Sequence, residues 1–163
     1  MAVTVKLERP AVAPDEFSRA DLEFRGVDHS GPSYQARIFL GNAQADDSTP
    51  TEEATGFAGA FNVFGHGGCF GELGHCDVRD APRNLYDRRL PHPLTPQFKT
   101  VVITDALRRV LRTSRAKTLT VTVVGVVYEN AYSLVQVADP LKFESVSLIL
   151  KEDPAAAGIP LPR

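Results

Sequence analysis

Residues 119–128 read LTVTVVGVVY, the strongest strand signal in the chain. Valine and threonine dominate this stretch, and branching at Cβ favours an extended backbone over a helix. Six further runs have the length and apolar pattern of strands, and turn residues separate them. These runs are 3–7, 22–24, 34–40, 57–64, 98–103 and 143–150. We therefore predict an all-β fold, an antiparallel β-sandwich of about seven strands with one short helix.

The short helix is expected directly before the strongest strand, over residues 106–111. Thr104 or Asp105 is suited to cap its N-terminus, because a short polar side chain accepts hydrogen bonds from free backbone N–H groups there. The spacing also divides the helix into an apolar face and a wet one. The apolar face holds Leu107, Val110 and Leu111, and the wet face holds Arg108, Arg109 and Arg112.

The run from Phe57 to Phe64 predicts a strand in strict alternation. One side of it is expected to carry Phe57, Gly59, Phe61 and Val63. The preceding stretch, 43–56, is small, acidic and polar without apolar spacing of either period, which is typical of a surface loop.

Length and composition fit one domain with one core. The chain has 163 residues, of which 43% are hydrophobic, as in an ordinary globular protein. We predict a single β-sandwich over residues 1–152. Residues 153–163 hold three prolines and three consecutive alanines, and we expect a loosely ordered tail.

Charge and hydropathy exclude several classes of function. The net charge of −2 at pH 7 gives no electrostatic reason to bind phosphates, so no nucleic-acid partner is expected. No apolar run reaches the roughly 18 to 20 residues that span a bilayer, so no membrane partner is expected either. The first residues alternate and do not form a signal peptide, which predicts a cytoplasmic location for the chain as it stands.

The stretch 66–76, HGGCFGELGHC, brings two imidazoles and two thiols within eleven positions. Thiolate and imidazole suit Cu(I) or Zn(II), and the glycines allow the backbone to fold back tightly. The candidate ligands are His66, Cys69, His75 and Cys76. Their spacing matches no standard zinc motif, so a Cys69–Cys76 disulfide and unreactive thiols remain as alternatives.

The other two histidines are weaker candidates. His92 lies between two prolines, a stiff setting where histidine is usually structural, and His29 lies in a turn-rich stretch. No nucleophile elbow, phosphate loop or dinucleotide fingerprint occurs in the chain. Four histidines in all cannot supply the six imidazoles of a dinuclear copper centre. Glu72 is the one candidate base near the cysteines, and a solvated carboxylate is its simpler interpretation.

Two stretches carry a resemblance to a known family. AGAFNVFGH at 58–66 is followed, after a variable segment, by FKTVVITDAL at 98–107 and then by the long Val/Thr strand. This order resembles the C-terminal β-sandwich of tyrosinases, polyphenol oxidases and molluscan haemocyanins. The run ARIFL at 36–40 is similar to the strand that precedes the family's insertion, and the likeness spans residues 22–150.

The resemblance implies a non-catalytic lid, or accessory domain, for a dinuclear copper protein. Its partner would be a tyrosinase-like helical catalytic domain, in cis or in trans, which supplies the copper-binding histidines. Such a lid shields the active site with a side chain, for which Phe70 is our candidate. Some fungal members carry a cysteine pair implicated in copper incorporation, so the resemblance suggests a transient Cu(I) site for copper loading at the four Cys/His residues. The alternative is a stand-alone structural or binding β-sandwich with a Cys69–Cys76 disulfide.

Overall fold

Seven β-strands and one α-helix make up the described part of the computed structural model, which comprises residues 1–65, 86, 95–127 and 140–152. The strands are β1 (Ala2–Glu8), β2 (Arg19–Val27), β3 (Tyr34–Leu40), β4 (Phe57–Val63), β5 (Gln97–Val102), β6 (Thr118–Val127) and β7 (Ser145–Lys151). The helix α1 spans Thr104–Thr113, and a short 3-10 helix spans Glu53–Thr55.

The strands form two sheets in which every pairing is antiparallel. One sheet has the order β1-β6-β3-β4 and the other the order β5-β2-β7. β4 and β5 lie next to each other where the two sheets meet. The prediction of an all-β antiparallel sandwich with about seven strands and one short helix is confirmed.

One apolar core fills the space between the sheets. Alternate residues of β2 and β3 point into it, among them Leu22, Phe24 and Ile38, and each of these side chains is fully buried. Burial of an aliphatic or aromatic side chain of this size contributes about 1.5 to 3 kcal/mol. The ring of Phe24 also packs against Phe61, with centroids 5.0 Å apart. The period of two in β2 and β3 therefore identifies the core-facing residues of these strands correctly.

A second, smaller apolar cluster lies on the outer face of the four-stranded sheet. Phe39 and Val124 are fully buried there, under Ala45 of the loop that follows β3. Phe57 packs against this outer cluster, with its ring 5.7 Å from that of Phe39. The expectation that Phe57 shares a face with Phe61 is therefore wrong. A register shift in the pairing of β3 with β4 turns the start of β4 over.

The helix α1 differs from its prediction at both its start and its polar face. Its first residue follows Ile103, and no side chain caps the free N–H groups. The hydroxyl of Thr104 instead accepts a hydrogen bond from the backbone N–H of Ala20, at 3.0 Å. Leu107 and Leu111 are buried as expected. Arg108 is not in open water, because its guanidinium donates to the carbonyl oxygens of Pro14 and Phe17.

The outer face of the three-stranded sheet contains one buried charge. Asp21 on β2 is 1% exposed. Its carboxylate accepts hydrogen bonds from Arg19 at 2.7 and 3.0 Å and forms an ion pair with Lys151 at 3.1 Å. Burial raises the pKa of Asp21, but the hydrogen bonds and charges of the two cations together lower the pKa below its usual value.

None of the described helices is long and apolar enough to cross a membrane. The predicted tail at 153–163 lies outside the described residues.

Candidate functional site

The five predicted site residues, His66, Cys69, Phe70, His75 and Cys76, lie outside the described residues. His92 lies outside them as well. Both ends of the segment that carries them are described. The segment leaves the sheet at Gly65, after β4, and re-enters at Thr95, before β5. The fold therefore determines where this segment begins and ends.

Both ends of the segment are hydrogen-bonded to the same turn, residues 28–33 between β2 and β3. The backbone N–H of Gly65 donates to the hydroxyl of Ser33 at 3.0 Å. The imidazole of His29 bonds through Nε2 to the carbonyl oxygen of Thr95 at 2.9 Å. Because a carbonyl only accepts, Nε2 carries the proton. The turn thus holds the base of the segment closed.

The chain passes close to the turn at Gly65. A Cβ atom at this position would collide with the backbone of Gly31 and Pro32, so only glycine fits without a shift of the chain. The glycine in the sequence AGAFNVFGH therefore has a packing role in addition to the hydrogen bond it donates. Directly before it, the ring of Phe64 is 79% exposed.

Asp28 stabilises the turn from inside. Its carboxylate accepts a hydrogen bond from the backbone N–H of Ser30 at 2.8 Å, and its own N–H donates to the carbonyl oxygen of Lys142 at 3.0 Å. Burial raises the pKa of Asp28, but the hydrogen bonds from Ser30 and the positive charge of Lys142 lower the pKa below its usual value. The carboxylate is therefore ionised at neutral pH, which keeps these bonds in place.

The turn belongs to what we name the loop end of the sandwich, defined by residues 28–33, Gly65, Thr95 and Val127. Tyr34 at the start of β3 is paired with Val63 and Val127, the last residues of β4 and β6. The chain therefore leaves both sheet neighbours of β3 at this end. The helix α1 follows the other end of β5, so the loop end and the helix lie at opposite ends of the fold.

His29 has a structural role in this arrangement. Its side chain is 8% exposed, and its ring anchors Thr95 in the way just described. From the sequence, His29 was a weak candidate for a functional residue. In the structure it positions Thr95. Sequence reasoning missed Ser33 altogether, because a single serine beside a proline gives no signal of a contact 32 positions away.

Metal-binding groups are absent from the described residues, in that no three His, Cys, Asp or Glu side chains converge there. An open groove of about 690 Å³ lies between α1 and the loop that follows β3. Arg109 and Glu53 form an ion pair at 3.0 Å on its rim. The remaining lining side chains are aliphatic, hydroxyl or amide groups, including Val110, Thr113 and Asn42. The groove therefore offers polar contacts but no set of metal ligands.

Comparison with known proteins identifies solved structures that share this architecture. No protein-family model and no curated protein matches the chain. Among solved structures, the latent aurone synthase (polyphenol oxidase) from natural source matches with a TM-score of 0.51 and 14% identity, over 93% of this chain and 24% of that one. The recombinantly expressed latent aurone synthase matches with a TM-score of 0.52 and 16% identity, again over 93% and 24%. The chain has the fold of part of a polyphenol oxidase.

At this level of identity the likeness to the polyphenol oxidases establishes the fold alone. The chain spans about a quarter of the length of the matched structures. The two stretches on which the sequence resemblance rests become β4 and the pair β5–α1 in the structure. They are adjacent elements where the two sheets meet, and the candidate Cys/His segment connects them.

Proposed function

We propose that this chain is a non-catalytic accessory domain of a tyrosinase-like dinuclear copper protein. In this proposal it shields the active site of a helical catalytic domain and assists copper loading through His66, Cys69, His75 and Cys76. The observation that carries the proposal is the match of 93% of this chain to 24% of a latent polyphenol oxidase. A unit that corresponds to a quarter of an enzyme is suited to an accessory task.

The residue inventory supports a non-catalytic role. A dinuclear copper centre uses six imidazoles, and this chain has four histidines. One of them, His29, is buried and bonded to Thr95. In this proposal the catalytic histidines belong to a partner domain.

The loop end is the surface that we assign to shielding. The segment between Gly65 and Thr95 is long, begins and ends on one turn, and carries Phe70 among glycines. An aromatic ring inserted into a substrate entrance excludes phenolic substrates by occupying the same space. The matched polyphenol oxidases are described as latent, and we propose restraint of this kind for the present chain.

Copper loading rests on the chemistry of the donor set. Two thiolates and two imidazoles favour Cu(I) over hard cations such as Mg²⁺. The bound metal would supply nothing to catalysis here, since the role proposed is transient binding and transfer. The residues that would hold it are the four named above.

Shielding is tested with a chimera in which this chain replaces the matched quarter of a latent polyphenol oxidase. Linkage in cis gives a high effective concentration, so weak contacts suffice. We expect low phenol oxidation that rises at least tenfold in the Phe70→Ala variant. Val102→Ala, an exposed residue of β5 away from the loop end, is the control and should leave activity low. Full activity of the unmodified chimera would contradict the shielding role.

Copper binding is tested by native mass spectrometry of the reduced full-length chain with one equivalent of Cu(I). We expect one retained copper, lost in the Cys69→Ser, Cys76→Ser double variant and kept in the control His92→Gln. Retention of copper by the double variant would refute the site. A chain without copper whose unreduced form is lighter by two hydrogens would indicate a Cys69–Cys76 disulfide and a structural loop.

The affinity for Cu(I) is also expected to fall as pH decreases, because protons compete with the metal for thiolate sulfur. Competition titrations with a Cu(I) chelator at several pH values measure this. A flat profile would exclude the thiolates as ligands.

A further inference from the structure

The open edge of β1 is a regular, unprotected sheet edge in the described part of the chain. β1 is paired with β6 over seven residues without a register shift, and no described strand lies on its other side. It has neither a bulge nor a proline, two features that prevent strand addition. Of the other three edge strands, β4 and β5 each have a register shift in their pairing, and β7 pairs regularly with β2.

The free backbone groups of β1 follow from its pairing. Gly125 donates to the carbonyl oxygen of Met1 at 2.9 Å, and Arg9 donates to that of Lys117 at 3.2 Å. Hydrogen-bonded pairs alternate along an antiparallel ladder, so odd-numbered residues direct their N–H and C=O groups towards β6. The even-numbered residues direct theirs to the open edge, and these are Ala2, Thr4, Lys6 and Glu8.

The side chains of β1 also lack full cover. Its sheet has four strands and the facing sheet has three, and the two sheets meet at β4 and β5. At the other side of the four-stranded sheet, β1 therefore has no strand of the three-stranded sheet opposite it. Val3, Val5 and Leu7 face the core but are only half-buried. A further strand beside the second half of β1 would remove apolar surface of Val5 and Leu7 from water, which is favourable at about 25 cal/mol per Å².

We propose that β1 is a self-association surface, at which a second copy of this chain adds its own β1 in antiparallel orientation. A two-fold axis perpendicular to the sheet would join the two four-stranded sheets into one of eight strands. The apolar sides of both β1 strands then lie on the same face. This proposal is independent of the proposed accessory function.

Charge complementarity favours an offset register, in which the second halves of the two β1 strands pair. A pairing with Lys6 opposite Lys6 of the second copy is unfavourable, because like charges directly opposite destabilise a sheet. A pairing with Leu7 opposite Leu7 of the second copy sets Lys6 opposite Glu8 on both sides of the axis. Lys6 and Glu8 both have backbone groups at the open edge, so each of these two pairs also exchanges two backbone hydrogen bonds. Pro10 ends the ladder just beyond, since proline has no N–H to donate.

The test uses charge reversal with the full chain and sedimentation equilibrium over a wide concentration range. Lys6→Glu places two carboxylates opposite each other, and Glu8→Lys places two ammonium groups opposite each other. We expect each single variant to raise the dimer dissociation constant about tenfold or more. The double variant Lys6→Glu, Glu8→Lys is expected to restore the dimer. Glu52→Lys, an exposed charge away from β1, is the control and should dimerise like the original chain.

Mixing gives the decisive result. The Lys6→Glu chain has two negative charges at the edge and the Glu8→Lys chain has two positive charges, so the mixture should form a heterodimer that neither forms alone. A chain that stays monomeric throughout the concentration range would overturn the proposal. So would a dimer that the single variants leave unchanged, because it would use another surface.

Discussion

Asp21 is the residue whose surroundings give the clearest prediction about pH. Its carboxylate is buried on the outer face of β2 and held by Arg19 and Lys151. A pKa lowered by folding stabilises the native state above the pKa of the unfolded chain, near 3.9. This contribution is lost as pH falls through the folded-state pKa. Urea denaturation of the Asp21→Asn variant should show a loss of about 1 to 3 kcal/mol at pH 7 that shrinks at low pH.

Glu23→Gln is the matched control for this variant. It removes one carboxylate from the same face of β2, where Glu23 has a single long contact of 3.5 Å with Arg25. We expect a change within about 0.5 kcal/mol. An equal loss in both variants, or a pH-independent loss in Asp21→Asn, would contradict the role assigned to the buried carboxylate.

Arg108 connects α1 to the segment between β1 and β2. Its guanidinium donates to Pro14 at 3.1 Å and to Phe17 at 2.8 Å, and it lies over the ring of Phe17 at 5.3 Å. We expect Arg108→Ala to lower the free energy of unfolding by about 2 kcal/mol. Arg108→Lys should recover little, because an ammonium lacks the planar fork. Arg112→Ala removes an exposed pair with Asp15 and should cost under about 1 kcal/mol by the same thermal or urea measurement.

At the scale of single elements, β4 depends on its irregular start. Gly59 has φ +150°, and a Cβ atom there would lie 2.7 Å from Cγ1 of Val101. Gly59→Ala therefore combines backbone strain with a clash in the core, for an expected loss of about 3 kcal/mol in urea denaturation. Gly41 has φ +76° but open space around it, so Gly41→Ala isolates the strain at about 1 kcal/mol. Similar losses of stability in Gly59→Ala and Gly41→Ala would mean that the core around residue 59 rearranges to make room for the added Cβ atom.

β4 also shows which structural features can be predicted from the local sequence and which cannot. Alternation identified β1, β3 and β6 and their buried sides, because a period of two depends only on neighbouring residues. It failed at Phe57, since the register shift arises from pairing with β3 and from an apolar partner, Phe39, on the outer face. The cap of α1 failed for a related reason. Thr104 bonds to Ala20, 84 positions away, and no local pattern contains that information.

The candidate site was predictable in part at the same scale. The concentration of Cys and His at 66–76 is visible in the sequence. The closed base of the segment was not, because Ser33 and His29 contribute through contacts with distant residues. The sequence thus indicates which candidate ligand side chains are present. The tertiary structure determines where the segment that carries them is anchored.

For the whole molecule, one core that joins both sheets predicts one cooperative transition. Residues of β2, β3 and β6 and of α1 belong to a single buried cluster, so neither sheet retains this main core without the other. Far-UV circular dichroism and tyrosine fluorescence, which includes the buried Tyr34, should report the same midpoint in urea. Two separated midpoints would indicate that the sheets unfold independently.

The pairing of β1 with β6 has a consequence for synthesis in the cell. Thr4 meets Thr122 although 118 positions separate them, and β2 has to wait for β7 in the same way. Ribosomes add about 5 to 20 residues per second, so β1 is translated on the order of ten seconds before its partner β6. During that interval nascent chains on one polysome expose the same apolar strand to one another, and binding by a chaperone is the most direct protection.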